Sequence, residues 1–185
     1  MLDSTPIIHT MTAEWRDHIS PGDIVSFRFP LAEDGNRAHP KARPCLILDI
    51  EERGHHRFAL IAYGTTSRRK SNIGYEVHVR RREDYAAAGL NRPTRFVGAR
   101  RVLVSLDHSG FALCGATGSA VLGRIEGKPY EVMNLVRGRI YAIRDIAADR
   151  RARAQRFRMR GRKDGSGRAR PAVSLATALG TAVSQ

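Results

Sequence analysis

From Ile24 to Phe29 the chain alternates, with Val25, Phe27 and Phe29 on one side and Ile24, Ser26 and Arg28 on the other. A period of two predicts a half-buried strand, opened by Pro21-Gly22 and closed by Pro30. Residues 31–42 keep no apolar period and read as a loop rich in charge, Gly and Pro. Pro44 to Ile50 is a near-continuous β-rich run, Glu51 to Arg57 a turn containing Gly54, and Phe58 to Tyr63 a third strand, together a hairpin. After a basic loop over 67–74, Tyr75 to Arg80 alternates as a fourth strand, and Arg81 to Asn91 reads as a short helix or turn ending at Gly89. Thr94–Val97, Arg101–Leu106, Phe111–Cys114 and Ala120–Ile125 are further short strands punctuated by glycines. Many short strands with Gly turns predict a mainly β, α+β domain built as a small barrel or sandwich.

Two helices complete the pattern. Thr12 to His18 forms a short one, with Thr12 as cap and Trp15 pinning it to the body. Pro129 fits a first helical turn, and Val132, Val136, Ile140, Ile143 and Ala147 recur behind it at three or four residues. This amphipathic helix is expected to pack on the sheet, weakened by about 1 kcal/mol at Gly138. Its continuation past Arg150 is left open, because Ala, Phe157 and Met159 are the only apolar residues there. From Gly161 the composition is that of disorder. The organisation expected is a leader over 1–20, a domain over 21–148, and an Arg-rich, disordered tail over 149–185.

The chain has 185 residues, enough for one domain with a real core. Its net charge of +14 is unevenly spread: 150–170 holds ten of the 32 basic residues and one of the 18 acidic ones, so it carries +9 and the rest +5. A polyanion is the expected partner, RNA or DNA before a small acidic molecule; the plain alternative is a solvated tail. Cys45 and Cys114, each in an apolar strand-like run, read as buried free thiols in a reduced, cytoplasmic compartment. No Cys/His spacing suggests a structural zinc site, and no apolar run approaches membrane-spanning length. The first twenty residues do not resemble a signal peptide.

Candidate chemistry gathers between Pro21 and Thr66. Pro44 biases Arg43 toward extended geometry at the rim of a strand, where a guanidinium can grip a phosphate and stabilise charge on a pentacoordinate phosphorane. Across the predicted hairpin Gly64-Thr65-Thr66 offers one or two hydroxyls to orient a ribose 2′-OH or bond a phosphoryl oxygen. These roles fit RNA self-cleavage. The blander readings are a rim arginine paired with Asp23 or Glu33, and a turn threonine satisfying its own backbone. Arg28 and the basic loop Arg68, Arg69 and Lys70 are further candidates for RNA-backbone contact.

Pro21-Gly22-Asp23-Ile24-Val25, Phe27 to Pro30, Arg43-Pro44-Cys45-Leu46-Ile47-Leu48, Gly64-Thr65-Thr66 and Leu122-Gly123-Arg124-Ile125 resemble, in order and spacing, the MazF/PemK-like toxins of type II toxin-antitoxin systems. The resemblance covers residues 21–148. It implies an SH3-like β-barrel, a homodimer, and cleavage of single-stranded RNA without metal or other cofactor, leaving a 2′,3′-cyclic phosphate and a 5′-hydroxyl. It also implies an antitoxin whose acidic, disordered segment wraps the basic groove. The family's active-site Arg falls on Arg43 and its Thr on Thr65, with Thr66 next in register. The chain departs from the pattern in the longer loop between Pro30 and Arg43, in Arg100-Arg101 where the family often shows Gln, and in the basic tail. Arg101 is accordingly a phosphate-binding candidate.

Of the seven histidines, His39 lies nearest Arg43 in sequence and is the candidate for helping catalysis, while the others read as surface or satisfied residues. Asp107-His108-Ser109 is no triad, because three adjacent residues cannot face one another as required. The leading expectation is a toxin-type endoribonuclease. The alternatives are a non-catalytic barrel binding nucleic acid or a protein, and a regulator engaging its partner through the long loop alone.

Overall fold

The computed structural model describes residues 11–30, 40–67 and 72–164. In chain order these form α1 (Met11–His18), β1 (Asp23–Phe27), β2 (Arg43–Arg53), β3 (His56–Thr65), β4 (Glu76–Val79), α2 (Arg82–Ala87), β5 (Thr94–Ser105), β6 (Val121–Arg124) and α3 (Gly127–Asp164). The strands make one six-stranded antiparallel sheet in the order β4-β5-β3-β2-β1-β6, with β4 and β6 at its two ends. The fold is α+β, as the pattern predicts.

The sheet is covered on both faces, which explains the unbroken apolar run of β2. Cys45 and Ile47 point into one cluster with Val25, Phe27, Phe29, Ile61 and Tyr63. Leu46 and Leu48 point into another with Ile24, Val77, Phe96, Met133, Val136 and Ile140. Each such Leu or Ile contributes roughly 1.5–3 kcal/mol by leaving water. Residues 11–20, expected as a leader, share the first cluster: Trp15 and Ile19 are buried, and the Trp15 ring meets Phe111 edge-on at 5.3 Å.

Several boundaries differ from expectation. The β2–β3 turn is only Gly54-His55, since Arg53 pairs with His56, and Gly54 takes a left-handed φ of +62° that suits glycine. The ladder over 51–57 is polar because it runs beyond the core, where the apolar pattern is silent. The strands expected over Thr94–Val97 and Arg101–Leu106 are one strand, ending at Ser105, whose pairing jumps from Ala62↔Arg101 to Tyr63↔Val97, bulging out residues 98–100. Of the strand expected over 111–114 only a single bridge, Phe27↔Phe111, forms.

The chain divides into two compact units, residues 1–142 and 143–185. In the first, α3 buries Met133, Val136 and Ile140 against the sheet. In the second, α3 continues to Asp164, so the continuation left open past Arg150 forms, and the helix runs into the tail over 149–185 that was expected to be disordered. Ile143, expected to extend the buried stripe, is exposed there. Residues 165–185 lie outside the described residues. Among the described residues no helix is long and apolar enough to cross a membrane.

The two thiols part company, correcting the expectation that both are buried. Cys45 is buried, and desolvation pushes its pKa up to about 12 against hydrogen bonding from Gly64 and the Arg43 charge. Cys114 is exposed in a turn, where hydrogen bonds from the Ala116 and Thr117 backbone and the Thr117 side chain lower its pKa. Iodoacetamide at pH 8 should therefore alkylate Cys114 in the native protein and Cys45 only after unfolding; mass spectrometry showing prompt Cys45 labelling would contradict that burial. Because folding keeps the Cys45 thiol protonated, its contribution to stability is present below the ordinary thiol pKa and is lost as pH rises from about 9 to about 12.

Candidate nucleic-acid interface

At one end of the sheet β1 and β3 finish, β2 and β5 begin, and β4 finishes. Phe27 pairs with Arg43, Thr65 with Arg95, and Arg95 with His78. The pairing of β2 with β3 ends at Cys45↔Tyr63, and Gly64 still lies close against the Pro44 carbonyl, so Arg43 and Thr65 stand two residues past the last pair at the same end of the two strands. Facing residues in a sheet share a face, so Thr65, Arg95 and His78 form one row across three strands, with Arg43 at the same end of the next. The hairpin thus brings together the two residues that sequence reasoning singled out.

Arg43 is half-buried, and its guanidinium carbon lies 5.8 Å from the centre of the Tyr63 ring, within cation–π range. Phe29 backs that ring at 5.4 Å. The Arg43 Nε is buried without a hydrogen-bond partner among the described residues. Asp23, one of its expected partners, instead accepts from Arg124 at 3.0 Å, and Glu33 lies outside the described residues. Among the described residues it is an aromatic ring, and no carboxylate, that meets this guanidinium.

Thr65 closes β3 half-buried, and its Oγ1 accepts from the Ser67 backbone N–H at 3.2 Å. Thr66 and Ser67 follow as exposed residues. Gly64 permits the close approach of β2: a Cβ there would stand 2.2 Å from the Pro44 carbonyl oxygen and 2.9 Å from the Phe96 ring. Gly64→Ala should cost about 1–3 kcal/mol by overpacking and part Arg43 from Thr65. A thermal midpoint equal to wild type would show that β2 yields without cost.

Beyond Thr65 the row opens into a groove of about 780 Å³ lined by Thr65, Thr66, Ile73, Glu76, His78, Arg80, Arg92 and Arg95, among others. Its floor is an ordered polar chain. Arg95 donates to Glu76 at 2.7 Å, His78 Nε2 sits 3.1 Å from the other Glu76 oxygen, and Arg80 approaches His78 Nδ1 at 3.4 Å. Since a carboxylate only accepts, neutral His78 carries its proton on Nε2 and presents Nδ1 as an acceptor. Sequence reasoning missed Arg95 and Glu76 and set His78 aside. The available signal was that Glu76, His78 and Arg80 share the polar side of one alternating strand and Arg95 lies at the start of the next, so a charged face was on offer there.

Of the other candidates, Thr66 lines the groove, while Arg28 and Arg101 are engaged elsewhere. Arg28 stands exposed at the same sheet end, but its guanidinium donates to the Ser109 carbonyl at 3.2 Å. Arg101 pairs with Ala62, which points to the opposite face from Thr65, and donates to the Gly98 carbonyl at 2.9 Å. His39, Arg68, Arg69 and Lys70 lie outside the described residues.

The arrangement defines an α+β protein with a cationic groove at one sheet end, beside an arginine on an aromatic floor. No protein-family model matches the chain, and no curated protein matches it either.

Proposed function

We propose that the chain is a toxin-type, metal-independent endoribonuclease of the MazF/PemK kind, its sheet coiled as an SH3-like barrel. The observation that carries this reading is that Arg43 and Thr65 stand at the same end of neighbouring strands, two residues past the pair Cys45↔Tyr63, with Arg43 over the Tyr63 ring and not neutralised by a described carboxylate. Arg43 would bind the non-bridging oxygens of the scissile phosphate and offset the charge that grows on them in the phosphorane. The Thr65 hydroxyl would orient the neighbouring 2′-OH. Attack forms the O2′–P bond and breaks the P–O5′ bond; the 2′ proton passes to solvent and the 5′-oxygen takes a proton from solvent. The products are a 2′,3′-cyclic phosphate and a 5′-hydroxyl. A homodimer, an acidic antitoxin segment over the groove, and a reduced cytoplasmic setting belong to the same reading.

Purified protein incubated with long single-stranded RNA in chelator should yield fragments with those two ends. Intact RNA across varied sequences would reject the enzyme. One observation favours a second reading, a non-catalytic nucleic-acid-binding barrel: Thr65 Oγ1 already serves its own turn by accepting from Ser67. Binding without cleavage would select it.

A further inference from the structure

Among the described residues the groove past Thr65 carries three guanidinium groups, on Arg80, Arg92 and Arg95, against the single carboxylate of Glu76. Arg95 and Glu76 neutralise one another on the floor, their side chains 9% and 11% exposed. The excess charge therefore sits on the rim, where Arg80 and Arg92 are exposed. Ile73, 81% exposed, adds an apolar surface to the same rim. The volume lies within the range of about 300–1,000 Å³ typical of ligand sites. A second, smaller groove of about 270 Å³ shares His78 and Arg80, but its further charges are paired, Arg81 with Asp84 at 2.9 Å and Lys128 with Glu131 at 3.2 Å, so among the described residues the free cationic rim is that of Arg80 and Arg92. A polyanionic strand leaving the Arg43–Thr65 pair meets this path next.

We infer that the groove seats the nucleotide beside the cleaved bond, its flanking phosphates against Arg80 and Arg92 and its base over the Glu76–His78 pair. Guanidinium groups suit phosphate because their donors are paired and permanently charged. His78 lines the groove, with Nε2 tied to Glu76 and Nδ1 left, among the described residues, to the 3.4 Å approach of exposed Arg80, whose guanidinium can only donate to it. A base offering an N–H or amino group can take that place. Arg80 and Arg92 then supply affinity for any sequence, and His78 discriminates among bases. The inference rests on the reading of the chain as an RNA-binding protein, but not on its being an active nuclease.

The test measures binding of short, fully 2′-O-methylated single-stranded RNA, which cannot be cut through a 2′-hydroxyl, by fluorescence anisotropy over a salt series. Arg80→Ala and Arg92→Ala should each weaken binding several-fold for every sequence, and the double variant roughly tenfold, with the log–log salt slope falling by about 0.7 per arginine removed. Both residues are exposed, so unchanged melting curves will show that folding is intact. His78→Ala should narrow the spread of affinities among the four homopolymers. Arg53→Ala, at the β2–β3 turn, should leave affinity and slope unchanged.

Wild-type affinity and slope in the Arg80 and Arg92 variants would overturn the inference, as would an equal loss in Arg53→Ala. An unchanged homopolymer spread in His78→Ala would overturn the base-reading role. If the protein cuts no RNA yet shows these losses, the subsite stands and the nuclease falls; if it cuts RNA while the variants bind normally, the reverse holds.

Discussion

Arg43→Ala should slow RNA cleavage by about 10²- to 10³-fold, the cost of removing one preorganised donor aimed at charge that develops in a transition state. The loss should fall mainly on kcat, because phosphate binding in the ground state is shared with the groove arginines whereas charge on the phosphorane is met chiefly at Arg43. Arg43→Lys keeps the charge but loses the planar fork and its fit on the Tyr63 ring, so it should rescue only part of the rate. Folding should survive, since the main contact surrendered is a half-exposed cation–π pair of about 0.5–1 kcal/mol. Equal cleavage by Arg43→Ala and wild type, with matching melting curves, would remove Arg43 from the site.

The legibility of that pair has a physical cause. Two apolar strands adjacent in sequence form a hairpin, and pairing them fixes which ends meet; misjudging the turn over 51–57 left the far end untouched. The row beyond Thr65 had no such support, because β5 comes back beside β3 only after β4 and α2, through a bulge at residues 98–100 that local pattern does not encode, and β4 pairs with its outer side. Neighbours misled at Cys114, where Phe111 and Leu113 suggest a strand but a turn exposes the thiol. The helix past Arg150 was left open because hydropathy reports only faces that pack. Its Ala, Arg, Gln and Met residues are strong helix formers, a propensity signal present in the sequence throughout.

Arg95→Ala should destabilise the protein by about 3 kcal/mol, the lower end of the cost of orphaning one member of a buried ion pair. The lower end applies because Glu76 keeps the hydrogen bond from His78 at 3.1 Å. Losing the cation leaves a carboxylate that is 11% exposed and sits opposite Val97, with little water to replace the guanidinium. Replacing the pair together, as Arg95→Met with Glu76→Leu, removes both desolvation costs and should recover stability to within about 1 kcal/mol of wild type, while exposing whatever the polar floor does for RNA. Urea unfolding reads the contrast as a lowered midpoint in the single variant and a restored one in the double, at unchanged slope. A single variant as stable as wild type would show that the pair is solvated enough to be dispensable. A double variant as unstable as the single would show that the floor is held by its hydrogen-bond geometry, in which case the groove's shape depends on the same two residues that neutralise its base.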